Sequence, residues 1–224
     1  MRPQSCRDRV VARRRCRRLV NDDKLEWIFA SSDNQQLADR YDRWATQYDA
    51  DHDGWEWIGP AKAVEQLREL GAISTVLDAG CGTGRVGVEL AATGWDGTLV
   101  GIDLSAGMLA VAAETARYER LVQASLTELP LEDGSVDAVI ATGVFTHGHV
   151  GSEAFPEVLR VVRPGGWVVI TCRSEVWAEL EPAAADHEAA GRWSLHQRTA
   201  PESFHPGKNV QDDQLQSVVT WQVC

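Results

Sequence analysis

A short apolar segment that runs into three alternating glycines restricts the fold of this chain more than any other feature. Residues 76–79 are mostly apolar, Gly80, Gly82 and Gly84 follow, and Arg85–Ala92 has the composition of a helix. Glycines permit a sharp turn and let a ligand approach the backbone without a Cβ in the way. The pattern predicts a strand, a tight loop and a helix, with the loop where open α/β sheets bind ligands. A glycine-rich turn that holds no ligand is the alternative.

Apolar runs of strand length alternate with helical stretches over most of the chain. The apolar runs are Ile73–Ala79, Thr98–Ile102, Arg120–Ala124, Val136–Ala141 and Trp167–Thr171. The helical stretches between them are Arg85–Ala92, Ser105–Arg117 and Ser152–Val162. This alternation predicts a parallel sheet that helices cover on both faces.

Two further runs, Trp193–Thr199 and Ser217–Cys224, have no helix between them. They predict an antiparallel pair of strands at one edge of the sheet. The predicted fold class is therefore α/β, with a Rossmann-like, doubly wound, mostly parallel sheet of seven strands and an antiparallel C-terminal hairpin.

The first 22 residues differ in composition from the rest of the chain. Residues 1–20 contain eight arginines and one acid, without the hydrophobic region of a secretory signal. We interpret residues 1–22 as a basic, disordered tail, although a transit peptide or an arm for anionic partners has the same composition. Residues 23–224 then form one domain, in which helices within 23–70 cover the ligand site. A capping box at Ser32–Gln35 predicts the start of the first of these helices.

Composition excludes several classes of function. The net charge is −11, whereas nucleic acid binding needs a basic surface, so we predict no nucleic acid partner. No apolar run approaches the roughly 20 residues that span a bilayer, so we predict no membrane partner. Five cysteines, none of them in CxxC spacing, favour a reduced, cytoplasmic location over a disulfide framework or a zinc site. The sequence does not indicate an oligomeric state.

The glycine loop taken alone fits more than one adenosine-containing cofactor. Gly82, Gly84 and Gly87 satisfy GxGxxG, the fingerprint of dinucleotide-binding proteins. Asp103 ends the second predicted strand about 20 residues later, where a carboxylate binds ribose hydroxyls. An NAD-dependent oxidoreductase is therefore one hypothesis, although the sequence has no Tyr-x-x-x-Lys pair for hydride transfer.

Four segments together resemble the class I S-adenosylmethionine-dependent methyltransferases, in the order and spacing of that family. Asp78–Gly84 resembles the family's first motif, and Gly101–Leu109 resembles its post-I motif. Leu129–Asp137 is similar to the approach to its fourth strand, and Leu159–Val168 is similar to the turn before its fifth strand. The resemblance covers residues 70–172 and implies S-adenosyl-L-methionine as the cofactor. The two strands expected at the C terminus suit the antiparallel hairpin of the same family.

The resemblance also implies how the cofactor is bound. Gly80, Gly82 and Gly84 would line its methionine end, and Asp78 would organise the surroundings of its amino group. Asp103 would accept hydrogen bonds from both ribose hydroxyls.

The adenine would lie farther along the sheet. Leu104 and Met108 would pack against it, while Ser125 and Leu126 occupy the place that reads its edge. Many relatives have an acid where this chain has Ser125, so recognition of the exocyclic amine is less secure. The other cofactor positions that the resemblance implies are Cys81, Thr142, Tyr41 and Tyr48.

An aromatic cluster precedes the glycine loop; it consists of Tyr41, Trp44, Tyr48, Trp55 and Trp57. Aromatic rings that face a sulfonium stabilise it by cation–π contact. Coverage of an apolar edge of the domain is an equal alternative for this cluster.

Two flanking segments resemble a narrower group. Tyr41–Asp49 and Gly143–Val150 look most like the methyltransferase-like protein of the Williams–Beuren region and its bacterial relatives. The second segment contains His147 and His149, which are candidate catalytic residues because a histidine there could deprotonate an acceptor hydroxyl or amine. Shaping the pocket or capping a turn is the alternative for both. We predict no metal, since no third ligand accompanies the pair.

A sulfonium cofactor explains why the acceptor site leaves no motif. The methyl group arrives already activated, so the protein has to align a nucleophile and exclude water. We predict methyl transfer to a small-molecule acceptor, because the chain has neither an appended recognition domain nor a basic platform. The alternatives are the NAD-dependent oxidoreductase and a non-catalytic protein that binds S-adenosylmethionine.

Overall fold

A seven-stranded sheet with helices on both faces organises the protein. It is described by a computed structural model for residues 24, 27–28, 30–53, 56–206 and 214–224. The tail predicted at residues 1–22 lies outside the described residues. Of the helices in the described ranges, none has the length and the apolar composition needed to cross a bilayer.

Helices and strands alternate along most of the described chain. The helices are α1 (Asn34–Asp53), α2 (Gly59–Arg68), α3 (Arg85–Ala92), α4 (Ala106–Glu114), α5 (Phe155–Val161) and α6 (Ser174–Ala189). The strands are β1 (Thr75–Ala79), β2 (Thr98–Asp103), β3 (Arg120–Gln123), β4 (Val136–Ala141), β5 (Val162–Arg173), β6 (Trp193–Arg198) and β7 (Gln216–Val223). A short 3-10 turn, Ser152–Ala154, precedes α5.

The strands lie in the order β3-β2-β1-β4-β5-β7-β6. The pairs within β3 to β5 are parallel, whereas β7 is antiparallel to both β5 and β6. The structure thus confirms the predicted α/β class, the parallel centre and the antiparallel hairpin at one edge. The strand order reverses between β1 and β4, and doubly wound sheets bind ligands in the crevice beyond such a point.

The central strands carry two apolar layers, because successive side chains of a strand point to opposite faces. Leu77 and Val139 belong to the layer that α5 and α6 cover, and Val76 and Ile140 belong to the layer under α2 and α3. All four side chains are completely buried. Each contributes about 1.5–3 kcal/mol relative to an exposed position. The well-packed strands therefore hold the loops at their carboxyl ends in fixed positions.

Two of the helix ends that differ from the prediction have local reasons. Asp33, not Ser32, accepts the amide of Gln36 at 2.8 Å, so the N-cap of α1 is one residue later. α4 ends at Glu114, earlier than predicted, and Ala116 follows with a positive φ of 52° that a helix does not accommodate.

Candidate functional site

The loop between β1 and α3 turns sharply at glycines. Gly80 and Gly82 have φ of +74° and +53°, where residues with side chains are strained. The N–H groups of Gly80 and Cys81 donate to the carbonyl of Ile102 at 2.7 and 2.9 Å, which ties the loop to β2. A Cβ on Gly80 would lie 2.4 Å from Val144 Cγ2, whereas a Cβ on Gly82 would meet no described atom within 4 Å. Gly82 therefore presents open backbone at the end of β1.

Asp103 is fixed next to this loop by the main chain. Its Oδ2 accepts the N–H of Gly82 at 2.8 Å, and its Oδ1 accepts the N–H of Ser105 at 2.9 Å. Burial raises the pKa of Asp103, and these two hydrogen bonds oppose the rise. Ser105 in turn caps α4 by accepting the amide of Met108 at 3.0 Å. A carboxylate is thus held at the carboxyl end of β2 in one orientation.

A cavity opens between α1 and the carboxyl ends of β1, β2 and β4. It contains about 850 Å³ of space, part of it open to solvent. Eleven of the residues predicted for the site line it: Tyr41, Tyr48, Gly80, Gly82, Asp103, Leu104, Met108, Ser125, Leu126, Thr142 and His149. Residues from distant parts of the chain therefore meet at one place, and the roles assigned to them stay predictions.

Four predicted site residues do not line the cavity: Asp78, Cys81, Gly84 and His147. Asp78 is completely buried on β1, where the Tyr118 hydroxyl donates to its Oδ2 at 2.6 Å. Burial raises the pKa of Asp78 to about 7. The Cys81 thiol is buried, and Gly84 is the N-cap of α3 with a positive φ of 90°. Asp78, Cys81 and Gly84 thus belong to β1 and the glycine loop, directly behind the cavity wall that Gly80 and Gly82 form.

Helix α1 brings two tyrosines into the cavity. Tyr41 and Tyr48 are seven residues apart, which places them on one face of the helix. Burial raises the pKa of both hydroxyls well above the usual tyrosine range, so both stay protonated. Trp44 is buried against Ile28 and Leu37, and the centroids of its ring and the Tyr48 ring are 4.8 Å apart. The tyrosines of the predicted aromatic cluster thus face the cavity, Trp44 packs inside, and Trp55 lies outside the described residues.

Two acids of α1 that sequence reasoning missed fasten the helix to the site. Asp42 accepts the Ser105 hydroxyl at 2.5 Å and the N–H of Gly107 at 2.8 Å. Asp49 accepts the Thr83 hydroxyl at 2.7 Å. Each acid directly follows one of the cavity tyrosines, so the repeated Tyr–Asp pair was the available signal. The pairs join α1 to the glycine loop and to the start of α4.

The two candidate catalytic histidines occupy different environments. His149 lines the cavity, where its Nε2 lies 2.6 Å from the Tyr41 hydroxyl and its Nδ1 lies 3.1 Å from the carbonyl of His147. Burial lowers the pKa of His149. The His147 ring is exposed and contacts Glu175 and Glu179 of α6 at 3.7 and 3.1 Å. The structure brings His149, and not His147, to the cavity.

Ser125 uses its hydroxyl locally. Its Oγ lies 2.8 Å from the Thr127 hydroxyl and accepts the Thr127 N–H at 3.2 Å. Ser125 therefore places an uncharged side chain in this turn. Leu126 beside it is buried and presents an apolar side chain to the cavity.

Comparison with known proteins identifies relatives of this chain. A family model described as a methyltransferase domain matches residues 77–170. Methyltransferase-like protein 27 of Homo sapiens is 38% identical over 164 residues, which cover 68% of this chain and 66% of that protein. Malonyl-[acyl-carrier protein] O-methyltransferase of Marinomonas sp. is 33% identical over 153 residues, which cover 66% of this chain and 55% of that protein.

Solved structures share the fold. A TehB-like SAM-dependent methyltransferase from Corynebacterium glutamicum superposes with a TM-score of 0.60 at 18% identity, covering 82% of this chain and 98% of that chain. The sequence relatives described above are longer than the matched region: the chain spans just under two thirds of the human relative's length and about half of the Marinomonas relative's length. The human match confirms the narrower resemblance to a methyltransferase-like protein.

The site itself fits S-adenosylmethionine. Gly82 leaves open backbone toward a ligand, and no donor in the described ranges reaches the buried Oδ1 of Asp78, which suits an ammonium group. Asp103 stands at the strand end where ribose hydroxyls bind in such folds. Sequence motifs, fold and relatives agree with this geometry. The chain belongs to the class I S-adenosylmethionine-dependent methyltransferases, and S-adenosylmethionine is the cofactor of that family.

Proposed function

We propose that this protein transfers a methyl group from S-adenosylmethionine to a small-molecule acceptor. The observation that supports this best is the cavity, because it combines the glycine loop with a second group of side chains around Tyr41 and His149. The residues that line it combine apolar side chains such as Leu37 and Leu126 with a few polar groups, as small-molecule sites do. When bound, the cofactor supplies a methyl group that its sulfonium has already activated.

We assign the glycine-loop side of the cavity to the cofactor. Gly80 and Gly82 allow the methionine end to approach the backbone. Each oxygen of Asp103 already accepts one N–H and has capacity for a second hydrogen bond, so ribose hydroxyls can bind there. Leu104 and Met108 offer an apolar surface to adenine.

We assign the side around His149 to the acceptor. A carbonyl only accepts hydrogen bonds, so the contact with His147 O puts the proton on Nδ1 of His149. Its Nε2 is then the acceptor for the Tyr41 hydroxyl. To act as a base, His149 would first have to release Tyr41. We therefore infer that His149 shapes the site and orients Tyr41, since alignment and exclusion of water supply much of the rate of methyl transfer.

The acceptor is proposed only as a class. The Marinomonas relative is named for an acceptor carried on a protein, whereas the name of the human relative specifies none. A concave site under α1 and a net charge of −11 favour a small molecule over nucleic acid. The cytoplasmic location stays a prediction.

The sequence left two alternatives to a methyltransferase: an NAD-dependent oxidoreductase and a non-catalytic protein that binds S-adenosylmethionine. Experiments distinguish both from an active methyltransferase. Family membership gives no support to the NAD-dependent oxidoreductase. A protein that binds the cofactor without catalysis would keep the same glycine loop, so binding alone does not distinguish it from an enzyme.

The test is a transfer screen with S-adenosylmethionine that carries a labelled methyl group, incubated with fractionated small-molecule extracts. We expect label to appear in a small-molecule product together with S-adenosylhomocysteine, and less of it with an Asp103→Ala variant when the cofactor is below saturation. Cofactor binding without transfer in any fraction would favour the non-catalytic alternative. Displacement of S-adenosylmethionine by NAD at equal concentration would contradict the cofactor assignment.

A further inference from the structure

Tyr118, in the loop before β3, contacts the glycine loop without lining the cavity. Its hydroxyl donates to Asp78 Oδ2 at 2.6 Å and accepts the N–H of Gly87 at 3.3 Å. Cβ atoms added to Gly84, Gly87 and Gly101 would lie 3.1, 2.9 and 2.8 Å from its ring. Tyr118 therefore fills the space that these glycines leave, and it connects β1, β2 and α3.

One carboxylate oxygen of Asp78 accepts a hydrogen bond, and the other has no described hydrogen-bond donor. Tyr118 donates to Oδ2, whereas no donor within the described part of the chain reaches Oδ1, although this atom is buried. A buried polar atom without a hydrogen bond is unfavourable. A cationic N–H group on a ligand would satisfy it, and the amino end of S-adenosylmethionine carries such a group.

We propose that Tyr118 is a positioning residue of the cofactor site: it holds Oδ2 of Asp78 and leaves Oδ1 for the ammonium group of the cofactor, whose binding displaces the proton from Asp78. This inference rests on the cofactor assigned above and is independent of the acceptor. Tyr118 itself need not touch the cofactor, since it acts through Asp78 and the glycine loop.

The protonation of Asp78 makes the affinity for the cofactor depend on pH. Burial raises the pKa of Asp78 to about 7; the Tyr118 hydrogen bond opposes this rise and the charge of Asp103 adds to it. Cys81 is the other titratable group that faces Asp78 within the described ranges, and β4 places the apolar Ile140 beside it. A neighbouring ammonium favours the ionised carboxylate. Cofactor affinity should therefore rise with pH until Asp78 is ionised in the free protein.

The first test is the affinity of the wild-type protein for S-adenosylhomocysteine, which has the same amino group and is not consumed. We expect the affinity to rise about tenfold between about pH 6 and about pH 8, with a binding heat that depends on the ionisation enthalpy of the buffer. An affinity that is constant over this range would overturn the inference and leave the cofactor assignment intact. Absence of binding at every pH would overturn both.

The second test uses Tyr118→Phe, which keeps the ring over the glycines and removes the hydroxyl. The hydroxyl favours ionised Asp78, so we expect the affinity at pH 7 to fall about three- to tenfold and its rise to shift to higher pH. Asp78→Asn should abolish the rise. Thr220→Val, which removes a buried β7 hydroxyl without a described partner, should leave the profile unchanged. An equal loss of affinity at every pH in Tyr118→Phe would show a purely structural role and overturn the proposal.

Discussion

At the scale of single residues, main-chain N–H groups hold two acids of the site. Asp103 accepts from Gly82 and Ser105, and Asp42 accepts from Gly107. Hydrogen bonds to a carboxylate are about twice as strong as those between neutral groups. The main chain can therefore order the cofactor loops without placing a cation beside each carboxylate, which leaves both loops compatible with a positively charged ligand.

Asp103→Ala should weaken the binding of S-adenosylhomocysteine by about 1–3 kcal/mol, because a charged hydrogen-bond acceptor is lost. The variant should stay folded, since the carboxylate lies at a strand end outside the two apolar layers. Calorimetry measures the affinity, and thermal unfolding checks the fold. Asp96→Ala, in the exposed turn between α3 and β2, is the control and should bind normally. Normal affinity in folded Asp103→Ala would mean that other groups hold the ribose.

His149→Asn should retain turnover within about tenfold of the wild type, because a shaping role needs size and hydrogen bonding rather than basicity. His147→Asn should have a smaller effect, since that ring lies outside the cavity. Rates would be measured with the acceptor that the labelled-methyl screen identifies. A general base contributes about two to four orders of magnitude. A loss of that size, together with loss of the acidic limb of the pH–rate profile, would contradict the shaping role.

At the scale of elements, α1 links the two cofactor loops through a repeated pair. Tyr41 and Tyr48 face the cavity, and Asp42 and Asp49, one residue farther in each pair, reach the start of α4 and the glycine loop. A spacing of seven residues is close to two helical turns, so both pairs point the same way. Gly107 permits this contact, because a Cβ there would lie 2.9 Å from Asp42 Cα.

Replacing both acids in Asp42→Ala/Asp49→Ala should lower cofactor affinity about tenfold, because α1 loses several charge-assisted hydrogen bonds that hold it over the cavity. Hydrogen exchange of α1 should accelerate, while the amides of β1 and β4 stay protected. Asp39→Ala is the matched control on the same helix, since Asp39 is exposed and bonds only to Gln35 among the described side chains. Unchanged exchange in α1 would show that apolar packing alone holds it.

The sequence predicted the cofactor loops better than the parts that support them. Gly82 and Asp103 belong to motifs whose separation in sequence is typical of folds that bind one cofactor at both places. Tyr118 and Asp42 act through tertiary contacts with residues 40 and 63 positions away in sequence. The repeated Tyr–Asp pair marks Asp42 in the sequence but not the residue that it contacts, and no local pattern marks Tyr118. His147 and His149 looked equivalent, since they differ by two positions. Only the path of the loop after β4 separates one from the other.

At the scale of the whole molecule, the order of strands and helices was predictable because the buried strands are apolar throughout and the helices are periodic. The pairing of the strands was less predictable from the sequence. β7 enters the sheet between β5 and β6, and its register follows from side-chain packing such as the stacked Trp193 and Trp221, 4.6 Å apart. Such contacts arise only once the sheet is assembled.

Removing residues 1–20 should leave both the melting temperature and the cofactor affinity nearly unchanged. This prediction comes from composition alone, because the segment is rich in arginine and has few apolar side chains to bury. Thermal unfolding and calorimetry of the shortened and full-length chains compare the two. A marked fall in melting temperature on truncation would contradict it.

Because α1 both covers the cavity and carries Tyr41, its docking has a consequence for the order of catalytic events. If the cofactor enters beneath α1, the acceptor side is complete only once α1 is seated beside His149. We therefore expect an ordered kinetic mechanism in which the cofactor binds before the acceptor and S-adenosylhomocysteine leaves last. Each turnover would then include one opening and one closing of α1 over the cavity.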